Sequence, residues 1–391
     1  ILGIAILIHE LGHLIAALLT GVEVERFSLG FGPMVVKKRI RGIDFGLAPI
    51  PFGGYVKIRG KDGIFSQEPE RRFPILFMGP LFNIGSAPII IIAIFLLFGL
   101  KVTPTRRIEV KGDLPGLKTG DEILAINDRP VEYWDDIALM LEKRGKKRIR
   151  FQREGIVQEV SVEGESLGIE PLIPPVIGMV KKGGPADQAG LREGDTVVAL
   201  DGEPISSWRE MATIIRRRPK EKVVLRIRRG EPLEVTVVPA RITLPDTVIG
   251  QIGVMARFEV IRPGPLESIE MGINRFVDLF LFTGNFLIRL ITMKESVRNL
   301  GGPIAIARVS GESLSWGLDT LLFFLAFIMI NLGIINLLPL PILDGGSIVL
   351  SLYEMLRRRR VSRNFLLVWQ QIGFSIFIVL AILVTFNDLT R

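Results

Sequence analysis

The chain of 391 residues contains no cysteine and only two histidines. The absence of cysteine excludes disulfides, thiol catalysis and every metal or iron–sulfur site that depends on a thiolate. The shortage of histidine excludes a His-rich site, so the positions of His9 and His13 carry information. Charge is plentiful, with 49 Lys and Arg against 41 Asp and Glu, yet the mean hydropathy is +0.40. The apolar residues must therefore form blocks, which is typical of a membrane protein with a soluble insert.

Three long stretches of the chain lack charged side chains altogether. They span residues 75–100, 320–343 and 364–387. Each exceeds the roughly 20 apolar residues that a helix needs to cross a bilayer. The opening stretch, 1–22, is as apolar but carries His9, Glu10 and His13, so we predict four transmembrane helices. This stretch has no initiator Met and no signal-peptide pattern, and we expect further residues before Ile1.

Basic residues are concentrated in two segments that a four-span chain has on the same side of the membrane. Segment 23–74 carries ten Lys and Arg, and the short loop 344–363 carries five Arg. Because short cytoplasmic loops are enriched in Lys and Arg, both segments are predicted to be cytoplasmic. The long segment 101–319 is then extracytoplasmic. The basic runs come without a recognition helix or interleaved aromatic residues, so no nucleic-acid partner is expected.

The long segment contains an internal repeat. Residues 116–121 (GLKTGD) recur 74 residues later as 190–195 (GLREGD), and Trp134 recurs at the same offset as Trp208. In both copies a short β-branched run follows the Gly-Asp turn, and a helix-like stretch and alternating strands come next. The pattern predicts two small α/β modules in tandem.

The repeat resembles the bacterial type of PDZ domain, in which an Ala-Gly-Leu-x-x-Gly-Asp turn follows a short helix. Residues 185–191 (PADQAGL) fit this pattern, whereas the first copy shortens it. The resemblance implies a groove that binds an extended peptide or chain end by strand addition. We expect Leu167, Gly168 and Ile169 to line this groove in the second copy. The alternative is that the tandem serves only as a spacer or lid.

The two histidines lie four residues apart in HELGH, an HExxH sequence on a predicted helix. This spacing brings the imidazoles of His9 and His13 to one face, one turn apart, where they can share a tetrahedral zinc ion. Glu10 beside them can take a proton from metal-bound water. Ionisable residues inside an apolar span are costly and therefore functional candidates. The alternative is a pair of interior histidines hydrogen-bonded across helices.

A third zinc ligand has to be a carboxylate or a weaker oxygen donor, because the chain has no other His and no Cys. A catalytic zinc site normally has three protein ligands and one open position. Asp344 directly follows the uncharged run 320–343, within residues 336–346 (NLLPLPILDGG), whose prolines interrupt a helix and whose glycines permit a close turn. Asp344 is therefore the candidate third ligand. The alternative is that it only caps a helix at the interface.

Taken together, HELGH in the first span, the 336–346 run in the third and the PDZ-like modules between them resemble the site-2 protease family. The resemblance is to its RseP-type branch of intramembrane zinc metalloproteases, and it covers nearly the whole chain. It implies a zinc ion bound by His9, His13 and Asp344. It also implies that Glu10 is the catalytic base and that Asn336 holds substrate near the metal.

Other segments are similar to the same branch. Residues 27–33 (FSLGFGP) and 51–57 (PFGGYVK) resemble its cytoplasmic-side β segments. In the family the second of these forms a membrane-dipping hairpin whose edge pairs with substrate, which implies substrate binding by Gly53, Gly54 and Tyr55. Residues 265–294 are apolar with scattered charges and predict an amphipathic helix in the outer interface.

The predicted fold is a polytopic α-helical membrane protein with four transmembrane helices, two inserted α/β PDZ domains and a membrane-associated β-hairpin region. The predicted boundaries are 1–22 for the first transmembrane helix, 23–74 for the cytoplasmic-side β region, 75–100 for the second helix, 101–165 and 166–245 for the PDZ domains, 246–317 for a linker with the interfacial helix, 318–343 for the third transmembrane helix, 344–363 for a cytoplasmic loop and 364–387 for the fourth helix.

The resemblance implies a zinc metalloendopeptidase of regulated intramembrane proteolysis in the bacterial inner membrane, with its PDZ domains on the periplasmic side. Its substrates are expected to be transmembrane segments of single-pass proteins, such as anti-sigma factors or signal-peptide-like chains, which zinc-activated water cleaves with Glu10 as general base. The main alternative is a membrane-anchored PDZ scaffold with an inactive metal site. A metal transporter fits less well, because the second and fourth spans lack ionisable residues. A soluble zincin also fits less well, because its HExxH helix would face water, whereas residues 1–8 are apolar.

Overall fold

The chain divides between a helical unit and a β-rich unit. The computed structural model describes all residues except 61, 113, 143–144, 164–167, 245–246, 297–300 and 391. The helical unit comprises Ile1–Phe98 and Pro263–Arg391, and the β-rich unit comprises Gly99–Arg262.

Helix α1 (Leu2–Leu19) opens the helical unit, as its apolar composition predicts. Its buried residues recur at spacings of three and four, so they share one face of the helix, and this face carries His9, Glu10 and His13. The helix ends at Thr20, before Gly21, whose φ of +70° is the left-handed conformation typical of a helix C-terminus.

A four-stranded sheet follows α1 and confirms the β character predicted for segment 23–74. Its strands are β1 (Val24–Phe31), β2 (Val36–Ile40), β3 (Ile43–Leu47) and β4 (Ile50–Ile58). The order is β2-β3-β1-β4, with β1 parallel to β3 and antiparallel to β4, so β4 lies at an edge of the sheet. Arg41 and Gly42 join β2 to β3 with φ of +48° and +85°, the signature of a type I′ hairpin turn.

A short 3₁₀ turn (Gly63–Ser66) leads into helix α2 (Pro69–Phe98). The helix begins six residues before the predicted boundary at 75, because Pro69 starts the first turn and the charged residues that follow are compatible with a helix. It therefore includes Arg71, which is exposed, and Arg72, which is buried.

The first repeat of the β-rich unit is built mainly of strands. Its elements are β5 (Leu100–Val102), β6 (Ile108–Val110), β7 (Glu122–Ile126), β8 (Arg129–Pro130), α3 (Trp134–Glu142), β9 (Lys146–Arg153), β10 (Ile156–Glu163) and β11 (Ile169–Pro171). Four strands form a sheet in the order β10-β9-β7-β8, and β11 pairs with β6.

The second repeat has the same plan. Its elements are β12 (Ile177–Val180), α4 (Pro185–Gln188), β13 (Thr196–Leu200), β14 (Glu203–Pro204), α5 (Trp208–Arg216), β15 (Val223–Arg229), β16 (Glu231–Val237), β17 (Ala240–Leu244), β18 (Thr247–Gln251), β19 (Val254–Ala256) and β20 (Glu259–Ile261). The sheet order is β14-β13-β15-β16, and β12 pairs with β19. Strands β7 and β13, like helices α3 and α5, are related by the 74-residue offset, which confirms the repeat.

Each repeat contains one ion pair in an equivalent position. The Nε and Nη2 groups of Arg153 donate to the two carboxylate oxygens of Asp121 at 2.7 Å each, and Arg229 binds Asp195 in the same way at 2.7 Å each. Burial alone would raise the pKa of these carboxyls. The hydrogen bonds from arginine and from a backbone amide outweigh that effect, so the pKa of both Asp121 and Asp195 is lowered.

The expected groove of the second PDZ module is wrong in its position. Leu167 lies outside the described residues, whereas Gly168 and Ile169 belong to the first repeat, because Ile169 pairs with Val110 of β6. In each repeat, the strand that pairs with β6 or with its counterpart β12 lies toward the C-terminal end of the module rather than at its N-terminal start. The counterpart in the second repeat is β19, which pairs with β12. The second module therefore extends beyond the predicted boundary at 245, and part of the predicted linker consists of strands.

In the part of the chain that the structure describes, the helical unit resumes with α6 (Pro265–Ile291), α7 (Pro303–Trp316), α8 (Leu318–Asn336), α9 (Asp344–Arg357) and α10 (Arg363–Thr390). By length and composition, α1, α2, α8 and α10 are the membrane-span candidates among the described residues, in agreement with the four predicted spans. The helix predicted for 265–294 forms as α6. It packs closely on α2, since a Cβ at Gly272 would lie 2.4 Å from Ile92.

The third predicted span ends earlier than expected, and the loop after it is mostly helical. Helix α8 stops at Asn336 rather than at 343, because Pro339 and Pro341 cannot continue its hydrogen bonding. Residues 344–357, predicted as loop, form α9. This helix ends at Arg358, whose φ is +50°. The five Arg of segment 344–363 predict a cytoplasmic loop but say nothing about its backbone conformation.

Candidate metal centre

Helix α1 brings both histidines and Glu10 to one buried spot. His9 and His13 are each 8% exposed and Glu10 is 7% exposed. The Nε2 atoms of the histidines lie 3.1 Å apart. His13 is oriented by its other ring nitrogen, since Nδ1 lies 2.8 Å from the carbonyl oxygen of Ile75 in α2. A proton on Nδ1 donated to that carbonyl leaves Nε2 with a lone pair for a metal.

Asp344, the first residue of α9, completes the group. Its Oδ2 lies 3.2 Å from His9 Nε2 and 3.4 Å from His13 Nε2. The tight turn behind it depends on the two glycines that follow. A Cβ at Gly345 would lie 2.3 Å from the carbonyl oxygen of Leu337, and one at Gly346 would lie 2.2 Å from that of Leu340. Any side chain at these positions would therefore push α9 away from the histidines.

The three side-chain atoms have the spacing that a tetrahedral zinc ion requires. Zinc binds imidazole nitrogen and carboxylate oxygen at about 2.0–2.1 Å, and two ligands at a tetrahedral angle then lie roughly 3.3 Å apart. The three observed separations, 3.1, 3.2 and 3.4 Å, bracket this value. Two imidazoles and one carboxylate are also a donor set that suits zinc and leaves one position open. The residues present therefore fit a catalytic zinc ion.

Beside these three residues lies a cavity of about 230 Å³. Glu10, Gly54 and Tyr55 line it, as do the two histidines and Asp344. Gly54 lets strand β4 cross close to the site, because a Cβ there would lie 2.8 Å from Cγ of Glu10. Gly53 is not among the lining residues. Its φ is +135° and a Cβ would lie 2.1 Å from the ring of Phe31, so its absent side chain permits the path of the strand.

Asn336 lies at the edge of the same group. As the last residue of α8, it points its side-chain amide nitrogen toward His9, with Nδ2 at 3.4 Å from Nε2. Apart from Gly53, the residues predicted for the zinc and substrate site thus come together from α1, β4, α8 and α9.

Several parts of the site carry no sequence signal that would have identified them. The cavity walls include five apolar residues that the sequence did not single out, Val56, Ile58, Ile64, Ile75 and Leu76. The group that orients His13 is a backbone carbonyl, which any residue type could supply. Gly79 allows α2 to approach His13, because a Cβ there would lie 2.3 Å from Nε2.

The second repeat has a separate cavity of about 300 Å³ between helix α5 and strands β18 and β19. Trp208, Met211 and Ile215 line it from the helix, and Ile252 and Val254 line it from the other side. This apolar groove lies next to the strand that corresponds to β11 of the first repeat.

The chain is similar to known proteins along its whole length. The family model described as peptidase family M50 matches residues 1–380. A protein of Neisseria meningitidis named as a zinc metalloprotease is 33% identical over 435 residues, covering 99% of this chain and 97% of the relative. The regulator of sigma E protease of Salmonella typhi is 31% identical and that of Escherichia coli K12 is 30% identical, each over 440 residues that cover 100% of this chain and 97% of the relative.

Proposed function

Because the chain belongs to peptidase family M50, a family of site-2 type zinc metalloproteases, we propose that it cleaves transmembrane segments of single-pass membrane proteins. We propose His9, His13 and Asp344 as the zinc ligands and Glu10 as the general base. The observation that carries this assignment is the mutual spacing of three ligand atoms, 3.1 to 3.4 Å, contributed by two helices at opposite ends of the chain.

In the proposed mechanism, the chain's own residues hold the reactants and move the proton. Zinc bound at the three ligands supplies a Lewis acid and lowers the pKa of water toward about 7. Glu10 accepts a proton from the attacking water and returns it to the leaving amine. The amide of Asn336 donates a hydrogen bond to the oxygen on which negative charge develops.

A substrate helix has to unwind before its backbone reaches the site, because its carbonyls are engaged in the helix. Unwound backbone groups are costly in lipid unless they find new partners. Strand β4 is an edge strand, and Gly54 and Tyr55 within it line the cavity. We propose that the substrate pairs with this edge as an added strand next to Glu10.

The charge distribution and the relatives support a proposal for the location and partners. The basic segments favour a cytoplasmic position for 23–74 and 344–363, and the β-rich unit is then periplasmic in a bacterial inner membrane. Two relatives are named as regulators of sigma E, which supports an anti-sigma-factor-like substrate. The apolar groove of the second repeat supports the binding of a peptide or chain end there.

The test is cleavage of a tagged single-pass protein by the purified enzyme in lipid vesicles, with the cut site mapped by mass spectrometry. We expect a cut within the transmembrane segment, its loss on chelation and its recovery on addition of zinc. Cleavage only outside the membrane segment would contradict intramembrane proteolysis. A chain that holds zinc but cleaves nothing would favour the alternative of a PDZ scaffold with an inactive site.

A further inference from the structure

A buried ion pair joins helix α2 to helix α9, which carries Asp344. Arg72 of α2 is 2% exposed and Glu354 of α9 is 4% exposed. Arg72 donates from Nη2 to Oε2 of Glu354 and from Nε to Oγ of Ser351, the latter at 2.8 Å. One guanidinium thus binds α9 at two positions. Because these positions are three residues apart, they lie on one face of the helix.

Stability alone is a poor reason for such a pair. Removing two charges from water costs several kcal/mol per ion, and an apolar pair of similar volume is often as stable or more so. What the pair supplies is geometry, because a planar guanidinium with two acceptors permits only one rotation and one height of the partner helix.

Helix α9 needs an external anchor because it does not continue α8. Seven residues with two prolines separate Asn336 from Asp344, so α8 does not dictate where α9 begins. Ser351 follows Asp344 by seven residues, which is two turns and about 10 Å along the helix, within about 20° of the same face. The side of α9 gripped by Arg72 is therefore the side that carries Asp344.

His13, across the site from Asp344, is held by the same helix α2. The carbonyl of Ile75 lies within hydrogen-bond distance of His13, and Gly79 makes close contact with its ring. Arg72 precedes Ile75 by one helical turn. Helix α2 thus contacts α1 through Ile75 and Gly79, and contacts α9 through Arg72. The distance between His13 and Asp344 depends on both sets of contacts.

Arg72 also contacts the neighbour of a residue that lines the cavity. Its Cζ lies 4.8 Å from the ring centroid of Phe65, in the 3₁₀ turn whose residue Ile64 lines the site. The second carboxylate oxygen of Glu354 accepts a hydrogen bond from the backbone amide of Val361 at 2.7 Å, which ties down the chain after α9.

We propose that Arg72, through Ser351 and Glu354, is a positioning residue that sets Asp344 relative to His9 and His13. This inference rests on the proposed zinc site. Loss of the contacts between Arg72 and α9 is expected to lower zinc affinity and alter coordination geometry while all three ligands remain present. Partners of metal ligands typically change metal affinity by about 10- to 100-fold, and we expect an effect in that range.

The experiment compares the full-length protein in detergent with Arg72→Met, Arg72→Lys, Ser351→Ala and the double variant Arg72→Met/Glu354→Met. The exposed neighbour Arg71→Met is the matched control. Zinc dissociation constants come from competition with a chelator, and the visible spectrum of the cobalt-substituted protein reports coordination geometry. Thermal unfolding in the same samples measures folding separately.

We expect Arg72→Met to weaken zinc binding by about 10- to 100-fold and to shift the cobalt spectrum. Arg72→Lys and Ser351→Ala should have smaller effects on both quantities. Arg71→Met should change neither the zinc affinity nor the cobalt spectrum. The double variant leaves no unpaired buried charge, so it tests positioning even if the single variant does not fold. A double variant and a Ser351→Ala protein with wild-type zinc affinity and cobalt spectrum would overturn the inference. A wild type that binds no zinc would instead overturn the proposed function.

Discussion

The helical unit and the β-rich unit use their polar side chains in different ways. In the helical unit the important pairs come from distant parts of the sequence, such as Arg72 with Glu354, 282 positions apart. In the β-rich unit the ion pair of the Gly-Asp turn lies within one repeat, and Asp121 with Arg153 has its counterpart in Asp195 with Arg229. The two repeats are also joined to each other, because Arg209 of the second pairs with Glu109 and Glu170 of the first. Among the described residues, the ion pair of Arg72 with Glu354 therefore occurs once, whereas the ion pair of the Gly-Asp turn occurs twice.

The difference has a physical origin. A helix in lipid satisfies its own backbone, so its buried polar side chains are few and serve function or the fit between helices. A small α/β module must stabilise its own turns, and each repeat does so with an arginine that binds the aspartate of the Gly-Asp turn. Substitutions in the helical unit should therefore affect catalysis and zinc at a distance, and those in the β-rich unit should stay local.

The largest expected effect is that of Glu10→Gln. The amide cannot accept the proton from water, so cleavage should fall by about 10²- to 10⁴-fold while zinc content stays at the wild-type level. Steady-state cleavage in vesicles measures the first quantity and metal analysis the second. Glu70→Gln, at an exposed position of α2, is the control and should leave both unchanged. An active Glu10→Gln protein would remove Glu10 from the mechanism.

Next is Gly79→Ala, which puts a methyl group 2.3 Å from Nε2 of His13. The imidazole has to move, and we expect zinc affinity to fall by about 10- to 100-fold. Gly85→Ala in the same helix is the matched control, because a Cβ there meets nothing within 4 Å. It should keep zinc and, by its higher helix propensity, leave stability equal or raised by up to about 1 kcal/mol. Equal zinc affinity in both variants would contradict the close approach of α2.

A smaller and local effect is expected from Asp195→Asn and Asp121→Asn. Each removes the charge of a buried carboxylate that a partly exposed arginine binds, which should lower the stability of its own repeat by about 1–3 kcal/mol. Hydrogen exchange resolved along the full-length chain measures this. Protection should fall in the substituted repeat, with zinc binding unchanged. An equal loss of protection in both repeats, or a loss of zinc, would erase the contrast between the two units.

The smallest effect is the dependence of the β-rich unit on pH. The pKa of Asp121 and of Asp195 is lowered in the folded protein, so their stabilising effect is complete above the unfolded value of about 3.9. It is lost as the pH falls below that value through the folded pKa. Exchange protection in the β-rich unit should therefore decline below about pH 4. The double variant Asp121→Asn/Asp195→Asn should show a shallower decline, and an identical slope would refute the assignment.

Features with a local pattern could be predicted from the sequence, and features made by long-range contacts could not. The scarcity of histidine made HELGH conspicuous, the break after a long apolar run pointed to Asp344, and the fixed offset exposed the repeat. The contact of Arg72 with α9 depends on the packing of two helices that are distant in the sequence, and a single sequence carries no signal for such packing. The misplacement of Gly168 and Ile169 has the same cause, since pairing partners, not order along the chain, decide which repeat a strand completes.

The most direct test of the central claim is the zinc content of the purified full-length protein beside His13→Ala and Asp344→Asn. The three ligand atoms lie within 4.8 Å of one another; His13→Ala removes one of them, and Asp344→Asn replaces a carboxylate by a neutral amide, which is a weaker ligand. We predict about one zinc per wild-type chain and a marked loss in both variants, with folding retained. A wild type that stays free of metal when zinc is supplied, or an Asp344→Asn protein that keeps wild-type affinity, would contradict the assigned site.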